Sequence, residues 1–401
     1  MPIRKEKIQM TKKLLPLLLT ALSVLLLGCH EIETEANTET ETITETESVT
    51  ETETETETEK ETEKPISLPT SRKLQFKNNK SGIYNYCPSV MQMSDGTLYA
   101  YYCTNQSSYK IVDYIGCRRG TRDAKNNIVW EEESIVLAPT PDLWDAHHTC
   151  DPSVIAGEFQ YDGESYNYLM AYLGCTSYDN QDNKIGLAVS KSPAGPFVKV
   201  GTAPLIDFTM DPRVTTFQWG VGQPSLISVD KKGHVYLFYT RGDKDGTRLM
   251  VDEWELSNLN DPQKIKTETV STSGLYNLNG NRDFMNNADL VYDTENNVFY
   301  ASSDCHPNPS DAPNYISSHF RVSYFRKEND FSSMKWRTVL TVSKENTGFD
   351  RNHNTGILRD EYGHFPSNGY ITVFYTVSVT GGDSLWSYKI YNYNIRLPQL
   401  R

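Results

Sequence analysis

The chain has 401 residues, a net charge of −13, 25 Tyr and 7 Cys. The first 64 residues carry a net charge of about −8, and the remaining, much longer part carries only about −5. A nucleic-acid footprint is therefore excluded, since it would need a basic face.

Arg4, Lys5, Lys7, Lys12 and Lys13 precede an apolar run, Leu14 to Leu27, that ends in Gly28-Cys29. The run is too short for a membrane span and has the order of an export signal: basic, apolar, small. Leu26-Leu27-Gly28-Cys29 resembles the lipobox of bacterial lipoproteins, which implies lipidation of Cys29. The other reading is an ordinary signal peptide with a stray cysteine. From Glu31 to Lys64 the chain is close to an alternation of Thr and Glu, with 14 Glu and 2 Lys. Like charges and missing apolar residues keep such a segment extended and solvated. Fully stretched it reaches roughly 110–120 Å at about 3.3–3.6 Å per residue. The expected organisation is a lipoprotein signal over residues 1–29, a disordered Thr/Glu tether over 30–73, and a folded domain over 74–401. That places the protein outside the cell, anchored to the outer face of the membrane by the lipid on Cys29 alone. The domain is expected to be a monomer.

Within the domain one phrase returns. Cys87-Pro88-Ser89-Val90, Asp151-Pro152-Ser153-Val154 and Gln223-Pro224-Ser225-Leu226 are its clear copies. Asn287-Ala288-Asp289-Leu290 and Asn354-Thr355-Gly356-Ile357 are weaker ones. A long, nearly constant period marks a repeat architecture. Each phrase opens a short strand, then a polar turn, then a strand rich in Tyr, Leu, Val and Phe. Those second strands are expected at Thr97 to Tyr102, Tyr166 to Leu173, His234 to Thr240, Val298 to Ser302 and Tyr370 to Val377. Turns such as Ser94-Asp95-Gly96 and Tyr161-Asp162-Gly163 between such runs are hairpin signals. Further strands follow, among them Ile185 to Ser190 and Leu385 to Asn394. Trp130, Phe197, Trp254, Trp336 and Trp386 recur in the outer part and read as blade packing. The pattern predicts an all-β fold, a five-bladed β-propeller; a large β-sandwich is the alternative, but it would not require five evenly spaced paragraphs.

The repeats, the Asp151-Pro152-Ser153-Val154 phrase and the stretch Ile185 to Phe197 resemble the five-bladed propeller glycoside hydrolases, family 43 and its relatives in particular. The resemblance runs from about Leu74 to Leu400. It implies a glycosidase acting on a polysaccharide or oligosaccharide, with catalytic carboxylates at the heads of the innermost strands. The family slots for an Asp base, a second Asp and a Glu acid fall on Cys87, Gln223 and Asn287, none of which can take those roles. Asp151 is the only acid at a repeat head.

Antiparallel pairing sets the end of each second strand beside the head of the first. Cys87 is thereby gathered with Cys103, Cys150 with Cys175, and Asn287 with Asp304 and Cys305. Cys87–Cys103 and Cys150–Cys175 are then candidate disulfides, and small buried thiols are the equal alternative. Cys117 completes the six domain cysteines. Hydrolysis of a glycosidic bond needs one carboxyl held protonated and one ionised. The acids near the mouth are Asp145, Asp151, Asp243, Asp283, Asp289, Asp304 and Asp350. Asp151 is the first choice, with Asp304 or Asp283 as its partner. The expected sugar contacts are Trp144, His147, His148, Trp219, Gln223, Arg282, Asn286, Asn287, Arg351, Asn352, His353 and Asn354, aromatic faces for stacking and planar groups for hydroxyls. Arg282 and Arg351 could select an acidic sugar by bidentate contact. No cofactor is required; by the resemblance, His353 is a metal candidate and calcium the ion for the channel, against the reading of a satisfied core histidine. A non-catalytic glycan-binding lipoprotein derived from this fold is the alternative function.

Overall fold

The computed structural model describes residues 73–178, 181–215, 218–366 and 369–397. The signal segment, Cys29 and the tether up to residue 72 lie outside them. The first strand begins at Lys73, so the expected tether runs one residue too far.

Five sheets, antiparallel but for the parallel pairing of Arg359–Asp360 with Asn85–Gln92, form the blades of a propeller. Their innermost strands are Asn85–Gln92, His148–Tyr161, Gly220–Ser228, Asp289–Asp293 and Arg351–Ile357. The second strands are Leu98–Thr104, Glu164–Cys175, His234–Asp243, Val298–Asp304 and Tyr370–Ser378. The hairpins turn where the sequence places them: Asp162 and Gly163 both have positive φ, 51° and 79°, as a type I′ turn requires. The second strands run past the expected ends, and this extension carries Thr104, Cys175, Asp243, Asp304 and Ser378 up to the strand heads. Blade 5 closes the ring with a strand from the other end of the domain: Lys73–Phe76 pairs with Lys389–Arg396, with Lys73 opposite Asn392. Periodicity alone could not reveal that exchange. The expected strand from Leu385 is shorter, because Leu385–Ser387 forms a 3-10 turn.

Each blade faces a neighbour on both sides, so its middle strands are buried on both faces and read as continuous apolar runs. Every neighbouring pair encloses a core, such as Phe238, Leu249, Phe299, Phe325 and Trp336 between blades 3 and 4. Burying one such Phe contributes about 1.5–3 kcal/mol. Trp130, Phe197, Trp254 and Trp336 all pack in these inter-blade cores. Trp386 does not; it sits with Tyr84, Ile316 and Tyr388 on the face of the strand heads.

All five repeat heads share one backbone state. Cys87, Asp151, Gln223, Asn287 and Asn354 have φ of 52°, 47°, 53°, 47° and 45°. The left-handed region costs an ordinary residue about 1–2 kcal/mol. In blades 1, 2, 3 and 5 the strand register slips at that residue, for example between Cys150 and Ser153. The bulge turns the head side chain out of the blade and toward the propeller axis. Crowding there is severe: a Cβ on Gly356 would lie 1.9 Å from the Pro88 carbonyl oxygen of the adjacent blade.

Below the heads, Arg359 is fully buried and ties the blades together. Its guanidinium pairs with Asp289 and donates to Ser153 Oγ and the Leu226 carbonyl, both at 3.2 Å. Asp289 also accepts from Ser225 Oγ at 2.8 Å and from the Ile357 amide at 2.7 Å.

Candidate active site on the strand-head face

The heads enclose a central cavity of only about 20 Å³, room for little more than one water molecule. Cys87, Asp151, Gln223, Asn287 and Asn354 line it. Their side chains are knitted together. Gln223 Nε2 donates to Asn287 Oδ1, and the Asn287 amide returns a bond to Gln223 Oε1 at 2.7 Å. Asn354 Nδ2 donates to the same Asn287 oxygen at 3.1 Å. Asn287 Nδ2 donates to Asp304 Oδ2 at 2.6 Å, and the Asn354 amide to Asp304 Oδ1 at 3.2 Å. The side chain of Asn354 also bonds His353 Nδ1.

Two carboxyls stand in this network without a cation. Asp151 is 7% exposed and Asp304 2%. Burial pushes Asp151 up to about 6 against the opposing pull of a hydrogen bond from Cys87. Burial likewise pushes Asp304 up to about 7, against the bond from Asn287. The Cys87 thiol is itself raised well above its ordinary value, by burial first and then by Asp151. It therefore stays protonated and donates.

The other expected acids are neutralised elsewhere. Asp283 lies in a buried ion pair, 2.9 Å from Arg321 and 2.8 Å from His306. Burial raises its carboxyl, but His306 and then Arg321 bring it below the usual range. It is not the partner of Asp151. Asp145 pairs with Lys199 and accepts from Tyr172 Oη at 3.0 Å. Asp243 sits between Arg241 and Arg248, Asp350 meets Lys344, and Asp289 is held by Arg359.

Several expected sugar contacts are structural. Trp144 stacks on Tyr172 at 5.6 Å and fills the space over Gly174 and Gly186. His148 is fully buried, 2.6 Å from Asp113, whose other oxygen accepts from Tyr84 Oη at 2.7 Å. His147 is half-buried and within 3.1 Å of the Ile111 carbonyl. Arg351 is buried and spent on Asp311 and on the carbonyls of Asp350 and Asp311. Asn352 is buried and donates to the carbonyls of Ser318 and Phe349, each at 2.9 Å. Arg282 is exposed and does not line the cavity. Arg351 is thus engaged within the protein, and Arg282 lies apart from the axial cavity. Trp219 does reach the mouth, packed with Tyr86, Cys87, Cys103 and Cys150. Asn286 also adjoins the site, its carbonyl accepting from the Asp304 amide at 3.3 Å.

The disulfide joins Cys103 to Cys150, with Cα atoms 5.1 Å apart. Both expected pairings, each within one blade, give way to a bond between blades 1 and 2. Cys87 occupies the bulge and faces the axis, while Cys175 lies opposite His148, too far along the strand to meet Cys150. Cys87, Cys117 and Cys305 are free thiols.

The calcium expectation does not fit these residues. Calcium takes six to eight oxygen ligands, whereas His353 is buried against Tyr388 with Nδ1 engaged by Asn354. Burial lowers His353 to about 4, so it is neutral. Among the described residues, Cys87, Cys103 and Asp151 alone bring ligand atoms within 4.8 Å of one another, and Cys103 is in the disulfide. No step is assigned to a metal.

Sequence reasoning missed Tyr86 and Tyr388. Tyr86 Oη lies 3.1 Å from Cys150 Sγ, and the Tyr388 ring packs 5.6 Å from Tyr86 and 5.0 Å from His353. Tyr86 directly precedes a repeat head, a signal that was there to be used; Tyr388 follows an irregular turn and had none.

The five-bladed fold is shared with solved structures of glycoside hydrolases. The chain is similar in fold to a thermostable family-43 glycoside hydrolase, with 17% identity over 81% of this chain and 93% of that one, at a TM-score of 0.50. It is similar as well to a family 117 glycoside hydrolase of the marine bacterium Zobellia galactanivorans, at 12% identity, 82% and 91% coverage and a TM-score of 0.53. An α-L-arabinofuranosidase of Lactobacillus brevis matches at 11% identity, 80% and 94% coverage and a TM-score of 0.51. No protein-family model and no curated protein sequence matches the chain.

Proposed function

We propose that the chain is a cell-surface lipoprotein that hydrolyses O-glycosyl bonds of a polysaccharide or oligosaccharide, with Asp151 and Asp304 as its working carboxyls. The observation that carries this is their isolation: Asp151 lines the axial cavity, Asp304 is bonded to its lining residues Asn287 and Asn354, and both are buried with no cationic partner. Burial holds both near neutrality, Asp304 higher than Asp151. Asp304 is then the proton donor and Asp151 the ionised partner, the division that glycoside hydrolysis needs. The glycosidase activities named for proteins of like fold support the reaction class. Export and lipid anchoring rest on residues 1–29, and the acidic tether gives the domain reach away from the membrane. The test is release of reducing ends from a panel of plant and host glycans by the wild type, with loss in Asp151→Asn and Asp304→Asn.

A second reading, a glycan-binding protein without turnover, is favoured by the tight cavity and by Asp304 having both oxygens engaged. Glycan binding with no reducing ends released would select it.

A further inference from the structure

On the same face, a second cavity opens between blades 5 and 1. The chain leaves the rim strand at Phe76 and runs inward to the blade 1 strand at Asn85, and this segment forms one wall. Tyr109 and the 3-10 turn bearing Trp386 form the other. The cavity is about 360 Å³, inside the range of about 300–1,000 Å³ usual for small-molecule sites. The axial cavity is far smaller.

Its lining combines aromatic rings with cations. Tyr109 is 61% exposed, yet it is braced: its hydroxyl lies 2.6 Å from Ser81 Oγ and its ring 5.2 Å from Trp386. A large exposed ring held in one place is a stacking platform rather than a core residue. Lys77, Lys80 and Lys389 complete the wall, and no acid lines it. Among the described residues, none of these three lysines forms an ion pair, whereas Lys191, Lys199, Lys266 and Lys344 each meet a carboxylate. Three unpaired ammonium groups on an acidic chain leave a local positive field, which a bound anion would complement. Tyr388 lines this cavity and also touches His353 and Tyr86, so one ring separates it from the axial network.

We propose that this cavity is a distal subsite for a sugar residue bearing a fixed negative charge, carboxylate or sulfate ester. Its ring stacks on Tyr109 and Trp386, and its charge meets Lys77, Lys80 and Lys389. The proposal deepens the glycosidase reading by naming the substrate class, and it rests on that reading for the glycan's course across the axis.

The test is calorimetric titration of full-length Asp304→Asn protein with three probes: oligogalacturonate, a sulfated carrageenan oligosaccharide, and a neutral arabino-oligosaccharide. One anionic probe is expected to bind at least about tenfold more tightly than the neutral one, and which one separates carboxylate from sulfate. Lys77→Gln/Lys80→Gln should remove about tenfold of that affinity, the effect of two partly screened ion pairs, and flatten its salt dependence. Tyr109→Ala, at an exposed position, should weaken the same probe without disturbing the fold. Equal binding of the neutral probe, or anionic binding indifferent to both variants, overturns the subsite. Wild-type protein that binds the anion but releases no reducing ends removes the glycosidase reading and leaves the subsite standing. Hydrolysis with no preference for charged sugar does the reverse.

Discussion

The pH profile of hydrolysis tests the two-carboxyl reading most directly. The productive state has Asp151 ionised and Asp304 protonated. With Asp151 near 6 and Asp304 near 7, both raised chiefly by burial, that state is centred at about pH 6.5. It then holds roughly 60% of the molecules, falling to roughly 3% at pH 4.5 and again at pH 8.5. Steady-state kcat/KM should therefore drop about 20-fold on each side of the optimum. Replacing Asp304 with Asn removes the proton donor. Hydrolysis of an unactivated glycan should fall by about 10²–10⁴-fold, while an aryl glycoside with a good leaving group keeps much of its rate and loses the alkaline limb. Asp151→Asn should abolish turnover of both substrates. A wild-type profile flat from about pH 5 to 8, or an alkaline limb that survives in Asp304→Asn, would refute the assignment.

Three further outcomes follow from the frame. Replacing Cys103 and Cys150 with Ser opens a link of sequence separation 47, and loop-closure entropy puts the cost at about 4 kcal/mol; a shift in urea midpoint worth under about 1 kcal/mol would contradict a bond closed in solution. Arg359→Met leaves Asp289 buried and unpaired and should cost about 3–5 kcal/mol, with Asp289→Asn in the same chain recovering part of it; additive losses in the double-mutant cycle would show that the two do not act as a pair. His353, held near 4 by burial, binds its proton less readily folded than unfolded. Stability from this group is complete above its unfolded value of about 6.5 and is lost as pH falls toward 4, by up to about 3 kcal/mol. Urea midpoints of His353→Gln should lack that part of the acid loss, and parallel curves for the two proteins would refute it.

The fold was legible because each blade repeats one instruction: a head, a turn with Gly or Asn, and an apolar strand. Asp162, Gly163 and Asn297 take the left-handed backbone that such residues tolerate, and Val298–Asp304 is buried along its whole length. What stayed hidden depends on contacts between repeats. The rim strand Lys73–Phe76 borrows its partner from the far end of the domain. The disulfide crosses from blade 1 to blade 2, whereas reasoning within one antiparallel blade could only pair Cys103 with Cys87. Charged residues misled for a related reason. Asp283 and Arg351 look available in sequence, but their partners, Arg321 and Asp311, lie 38 and 40 residues away.

The bulge at the strand heads explains why the repeat marks the site without marking its chemistry. A residue at φ near 50° must tolerate left-handed backbone, and Asn and Asp do so most readily among residues with a side chain. Selection for the bulge alone thus fills the axis with amides and acids, whether or not they react. At Gln223, Asn287 and Asn354 the side chains serve one another, and a carboxylate at Asn287 would repel Asp304, its hydrogen-bond partner. Asp304 is free of this constraint because it ends a second strand, outside the left-handed region, and meets the axial residue Asn287 from that neighbouring strand. A proton donor placed there can be raised by burial without bearing the strain of the turn. Moving an acid between Asn287 and Asp304 therefore keeps it on the axis while changing its backbone support. A test is the swap Asn287→Asp/Asp304→Asn: if position along the axis is what matters, it should restore hydrolysis relative to Asp304→Asn alone, and a swap no more active than that single variant would tie the donor to the strand end.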